Sequence, residues 1–328
     1  MENNKSIKAW NFVGNFKIFA TISILVVLAG LIMNIIFGTR LDINFKGGAR
    51  ITYSYTGEVD LNAARDAIQN ATGQDATVTQ STDMTDQSTN LVVTLPGDKS
   101  LSTDMMGDIT SALQERFQDN EIAMLESDSV DPSVGIAFFG KSLFAVGLAA
   151  ILVVVYVGFR FRKIGGVSAG VMALIALLHD LVVIYFVYVI FRIPLNDNFI
   201  AVMLTILGYS LNDTIVIYDR IRENRRLLGM KMPFRQLVNV SITQSFRRSL
   251  VTSITTFIAI TTVYVVAVVR GLDSIISFAL PMMFGVASGA YSSICIAGPL
   301  WVFWKEHREK KLEAESQKKK TTKTRAKK

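Results

Sequence analysis

Six apolar stretches, each about as long as a bilayer is thick, constrain this chain more than any other feature. A helix needs roughly 20 mostly apolar residues to cross the hydrocarbon core. Such stretches occur at 16–37, 141–159, 165–191, 199–218, 250–269 and 275–304. Half of the 328 residues are hydrophobic and the mean hydropathy is +0.37, too apolar for an ordinary soluble domain of this size. The first stretch is long for a secretory signal and no A-x-A-like cleavage site follows it, so it reads as a retained helix.

The net charge is +7, and the basic residues are clustered beside the apolar spans. A nucleic-acid binder would spread them over a folded soluble face. Lys5, Lys8 and Lys17 precede or begin span one; Arg160, Arg162 and Lys163 separate spans two and three. Arg220, Arg222, Arg225, Arg226, Lys231 and Arg235 separate spans four and five, and Lys305, Arg308, Lys310 and Lys311 follow span six. With six spans, all four clusters fall on one side, while Arg192 and Arg270 stand nearly alone in the two short opposite loops. The positive-inside rule then puts both termini in the cytoplasm. This gives four regions: 1–37, a cytoplasmic N-terminus and first helix; 38–140, an extracytoplasmic domain; 141–304, helices two to six with a cytoplasmic loop at 219–249; and 305–328, a basic cytoplasmic tail. The lysine-rich end of that tail reads as disordered and attracted to anionic lipid. Cys295 is the only cysteine, so an internal disulfide or a cysteine-based metal site is out of reach.

The exported segment has the pattern of a small domain. RITYSY (50–55) alternates like a strand, and DLNAARDAIQN (60–70) is helical, with Asp60 at its N-cap and Leu61, Ala64 and Ile68 on one face. Strand patterns follow at 76–80 and 91–95, a helical pattern at 104–118, and a strand pattern at 122–125. The order β-α-β-β-α-β is that of a ferredoxin-like unit. The segment has no histidine or cysteine, and it reads as a binding or moving domain.

The chemistry lies in the spans. LTILGYSLNDTIVIYDRIREN (204–224) carries Asn212 and Asp213 inside an apolar helix. A charged group at mid-bilayer costs about 2.5–3.5 kcal/mol on insertion scales, so Asp213 is expected to face protein or a wet path and to handle protons or ions. Asn212 points about 100° away and reads equally as a structural or a functional group. His179 and Asp180 form a second intramembrane pair; the histidine suits a proton relay or a backbone cap, and Asp180 a partner across helices. Gln244, Arg248, Thr252 and Thr255 fall on one helical stripe, broadened by Ser253 and Thr256. That stripe reads as the wall of a hydrated path. Asp219, Arg220, Arg222 and Glu223 read as a charge network where span four leaves the membrane. In span six, Pro281 is followed by Gly285, Gly289 and Ser293, and the Gly-x-x-x-Gly spacing suits close helix packing. There is no nucleophile–base set, metal-ligand cluster or nucleotide loop, so neither an enzyme nor a cofactor or metal protein is expected.

GYSLNDTIVIYDRIREN (208–224), QSFRRSLVTSITT (244–256), INFKGG (43–48) and LLHD (177–180) occur in this order at matching topological positions. In these the chain resembles the SecF family, membrane subunits that work with SecD beside the bacterial protein-export channel, and more widely the resistance–nodulation–division transporters. The resemblance implies a six-helix half of a transporter in the bacterial cytoplasmic membrane. Its partners would be a SecD-like subunit, the Sec channel, a translocating polypeptide and membrane lipid. It further implies proton coupling at Asp213, with Arg248 rather than Arg247 as the arginine near the proton path. Two positions depart from the family pattern: Asn44 stands where D-F-x-G-G has its acid, and Asp131 where VGPxVG has a glycine. Two other readings compete: a structural assembly factor for a membrane complex, and an exporter of small molecules or lipids from the same superfamily.

Overall fold

The computed structural model describes residues 9–74, 76–82, 89–96, 102–228 and 232–325. Lys5, Lys8, Lys231, Lys327 and Lys328 lie outside the described residues. Among the described residues, six helices are long and apolar enough to cross a membrane. They are α1 (Phe16–Phe37), α5 (Pro132–Arg160), α6 (Gly166–Ile190), α7 (Asp197–Leu228), α8 (Phe234–Val269) and a last span built of α9 (Asp273–Ser292), a π-helical turn (Ser293–Ala297) and α10 (Gly298–Arg325).

Between α1 and α5 lie a short helix α2 (Ile43–Lys46), strand β1 (Gly48–Ser54), helix α3 (Leu61–Thr72), β2 (Thr77–Thr82), β3 (Thr89–Pro96), α4 (Thr103–Arg116) and β4 (Ala123–Val130). The sheet order is β2-β3-β1-β4 and every pairing is antiparallel, which is the ferredoxin-like arrangement read from the sequence. Its core follows from strand alternation: Ala49, Ile51 and Tyr53 of β1 and Leu91, Val93 and Leu95 of β3 face inward. Ala64 and Ile68 of α3 and Ile109 and Leu113 of α4 cover them. Asp60 caps α3 by accepting from the Asn62 amide at 2.9 Å, and Gly73 ends the helix at φ +68°.

The spans sort into two shells. In the most apolar window of each, 56% of α6, 56% of α7 and 44% of the last span are buried, against 6% of α1, 17% of α5 and 11% of α8. Thus α6, α7 and the last span form the interior, and α1, α5 and α8 present apolar surface to lipid or to another chain.

Several helices outrun their apolar stretches. The second begins at Pro132 rather than 141, because Asp131 accepts from the Ser133 amide at 2.8 Å and Pro132 occupies the first turn. The Ser133 hydroxyl, donating to the same carboxyl at 2.5 Å, and then that amide hold Asp131 below the usual carboxylate range, so the residue departing from the family glycine serves as a helix cap. Helix α7 runs on to Leu228, and α8 starts at Phe234 rather than 250. Hydropathy marks only the apolar part of a helix, whereas charged pairs carry the backbone ladder into water. Here Arg222 pairs with Asp219 at 2.8 Å and Arg220 with Glu223 at 2.6 Å, both three residues apart. The tail, read as disordered, is helical as far as Arg325, since α10 continues without a breaker.

The sheet domain is rooted in the bundle. Leu41 and Leu195 form a parallel bridge, in which the Asp42 amide donates to Leu195 and the Leu195 amide to Arg40. Asp42 is buried, caps α2 and pairs with Arg50 at 2.5 Å. Asn44 donates to Asp197, the first residue of α7, at 3.3 Å. Gly47, at φ +79°, lies so close to Pro132 that a side chain there would strike its backbone.

Candidate functional site

Among the described residues, two acid groups lie inside the bundle, in different surroundings. Asp180 on α6 has 0% exposure and three hydroxyls converge on it. Ser210 of α7 donates at 2.7 Å, and Ser288 and Ser292 of α9 donate at 2.6 Å each. A carboxylate accepts such bonds strongly. His179 Nδ1 stands 3.3 Å from the same carboxylate, while its Nε2 is buried without a hydrogen-bond partner among the described residues. Beyond the imidazole, Tyr291 donates to the Phe19 carbonyl at 2.6 Å and lies 3.2 Å from Ser23 Oγ, tying α9 to α1.

This cage depends on close helix approach. A Cβ on Gly289 would fall 2.9 Å from that of Ser210, and one on Gly285 2.7 Å from Ile206 Cγ1. Small residues at these positions bring α9 onto α7. The π turn begins just after Ser292, at Ser293, whose hydroxyl donates to the Ser210 carbonyl at 3.1 Å and lies 2.9 Å from Thr214 Oγ1. Such turns often sit at functional positions. Half-buried Cys295 lies within it.

Asp213 lies one turn along α7 from Ser210, at the contact with α8, and is 3% exposed. Ser253 of α8 donates to it at 3.3 Å and in turn accepts from Tyr209 at 3.4 Å. The Ser249 hydroxyl is buried beside Asp213 and interacts with its carboxyl, though outside good hydrogen-bond geometry. Arg248 is the cation whose charge reaches Asp213. It makes no ion pair with it among the described residues and is exposed on the wall of a cavity of about 1100 Å³.

The remaining expected residues fall elsewhere. Asn212 is exposed on α7, away from both carboxylates. Gln244 Oε1 accepts from Arg220 at 2.7 Å and from Asn224 at 2.8 Å, within the charge network at the far end of α7. Thr252 and Thr255 turn their hydroxyls back to carbonyls of α8 itself, at 3.0 Å and 2.9 Å. The stripe of α8 facing α7 is the next one round: Ser241, Ser245, Ser249 and Ser253, all buried. Sequence reasoning missed most of this stripe, the three serines on Asp180, and Asp42. The spacing of four between successive α8 serines was the available signal, as it is for Ser288 and Ser292.

Fold and interior together define a class: a six-span membrane protein of resistance–nodulation–division architecture, with a ferredoxin-like domain between its first two spans and carboxylates in its interior. Residues 109–307 match the family described as protein export membrane protein SecD/SecF, C-terminal. The protein translocase subunit SecF of Alicyclobacillus acidocaldarius is 34% identical over 89% of this chain and 92% of its own length. The protein translocase subunit SecDF of Bacillus subtilis is 29% identical over 96% of this chain and 41% of its own. The crystal structure of SecDF, a translocon-associated membrane protein from Thermus thermophilus, superposes with a TM-score of 0.75 at 28% identity, covering 93% of this chain. This chain spans 40% of that one. The chain therefore belongs to the SecD/SecF family of protein-export membrane proteins.

Proposed function

We propose that the chain is one half of a protein-export accessory machine driven by the proton-motive force. The other half is a SecD-like subunit, a reading supported by relatives named SecDF, of which this chain spans about 40%. The ferredoxin-like domain lies outside the cytoplasm, both termini lie inside, and the pair acts beside the Sec channel on an emerging polypeptide. The observation that carries this reading is Asp213. It is a buried carboxylate with one long hydroxyl bond, a second hydroxyl poorly aligned beside it and a cation near but not bound. Such a group can change its charge without breaking a network. Protonation removes its attraction to Arg248 and frees α8 to shift against α7. One charge crossing 100 mV is worth about 2.3 kcal/mol, enough to bias a two-state element roughly fiftyfold. The root at Asp42, Asn44 and Leu195 links the start of α7 to the exported domain.

The test is Asp213→Asn in membrane vesicles holding this chain, its SecD-like partner and the channel. Export in the variant is expected to lose its response to an imposed proton gradient while the complex still assembles. An undiminished response ends the proposal, and a loss of assembly favours the scaffold reading instead.

A further inference from the structure

The cavity beside Arg248 lies where the α5–α6 connection, α7 and α8 meet, at the opposite end of the bundle from the sheet domain. Eight cations line it: Arg160, Arg162, Lys163, Arg220, Arg222, Arg225, Arg226 and Arg248. The acids lining it are Asp219 and Glu223, so the wall formed by the described residues carries a net charge of +6. Both acids are already engaged, Asp219 by Arg160 and Arg222, and Glu223 by Arg220. Arg162, Lys163, Arg225, Arg226 and Arg248 have no carboxylate within ion-pair distance among the described residues. Arg225 also stands within electrostatic reach of Lys305, another cation.

Like charges held together in one concavity call for an anion to offset them. The guanidinium groups are also placed by more than charge. Arg160 and Arg222 lie over the Phe161 ring at 5.9 and 5.8 Å, and Arg162 over Phe159 at 5.8 Å. The same wall holds Ile164, Val216 and Phe159, the last 79% exposed. A free inorganic anion has no use for that apolar surface. A phosphodiester with acyl chains attached meets both requirements.

We propose that this cavity binds the headgroup of an anionic phospholipid, its phosphodiester held by Arg162, Lys163, Arg225 and Arg226 and its chains lying against Phe159 and Val216. The four anchoring cations stand apart from the proton-coupling reading, although Arg248 and Gln244 line the same cavity.

The test is native mass spectrometry of the purified full chain in non-ionic detergent, titrated separately with phosphatidylglycerol, phosphatidylcholine and inorganic phosphate. Phosphatidylglycerol is expected to be retained well above phosphatidylcholine and not to be displaced by phosphate at equal concentration. The combined variant Arg162→Gln, Lys163→Gln, Arg225→Gln, Arg226→Gln is expected to weaken its retention by at least about tenfold, each cation near a membrane surface being worth roughly fivefold. Lys310→Gln with Lys311→Gln, which alters exposed cations outside the cavity, should leave retention unchanged. If the fourfold variant does not accumulate, Arg225→Gln with Arg226→Gln is expected to show the same direction of change. Equal retention of the two lipids, undiminished retention in the cavity variant, or an equal loss in the Lys310/Lys311 variant overturns the proposal. Displacement by phosphate makes the cavity a free-anion site and overturns it too.

Discussion

Asp180 and Asp213 are both buried carboxylates in the same bundle, one turn apart across α7, yet they are held in opposite ways. Asp180 receives three short hydroxyl bonds from two helices, with a histidine alongside. Asp213 receives one bond at 3.3 Å from a helix whose apolar window is only 11% buried. The difference lies in what each group can lose. Removing the carboxyl group from the first leaves several buried donors without an acceptor, which is costly. Removing it from the second disturbs one weak bond. The first arrangement ties α6, α7 and α9 into a unit; the second adds a single long bond to an α7–α8 contact that other side chains also hold.

The largest effect is therefore expected at the tied carboxylate. Asp180→Ala should destabilise the purified chain by about 3 kcal/mol or more, several hydrogen bonds to a charged group being lost together. Asp213→Ala should cost no more than about 1 kcal/mol, in line with single interhelical hydrogen bonds in membranes. Thermal unfolding in detergent measures both, and equal losses would erase the contrast.

Next in size is the packing that builds the cage. Gly289→Ala places a methyl group 2.9 Å from the Ser210 Cβ and should cost about 1–3 kcal/mol through overpacking. Gly147→Ala in α5, where the methyl meets open space, should instead be neutral or stabilising by up to about 1 kcal/mol. Unfolding midpoints of the pair separate helix contact from helix propensity.

The smallest effects sharpen the reading of Asp213. Ser253→Ala should lose about 0.6 kcal/mol, and Ser249→Ala less than that, since its hydroxyl meets Asp213 only in poor geometry. If Ser249→Ala nevertheless slows gradient-dependent export in vesicles, the poorly aligned hydroxyl serves a transient state of Asp213. Unchanged export in that variant leaves Ser253 as the sole hydroxyl that matters to it.

Much of this was legible in the chain. Six spans follow from apolar length, and the sheet domain from alternating strands and two amphipathic helices. The acids at 180 and 213 stand out because charge is rare in such surroundings. What the sequence hid was the partners. Serine carries little hydropathy signal and occurs everywhere, so the hydroxyls on Asp180 were invisible until α9 was folded onto α7. The choice between adjacent stripes of α8 was also hidden. Gln244, Arg248, Thr252 and Thr255 are the more polar set, but a helix packs closely through its smallest side chains, and those belong to the serines beside them. Asp42 carries no pattern of its own, being a single acid just past the first apolar span. Its carboxylate pairs with Arg50 at the base of the sheet.

Helix α7 has one further consequence. Its 32 residues make a rod about 48 Å long at 1.5 Å per residue. One end is bonded through Asp197 to the stem of the sheet, the middle carries Ser210 and Asp213, and the far end is gripped by Gln244 through Arg220 and Asn224. A continuous helix resists compression far better than a loop, so in the proposed function α7 would serve as a pushrod. An axial slip of α7 by a single residue would reach the stem nearly undiminished, and the sheet would tilt about its anchorage with no signal relayed from side chain to side chain.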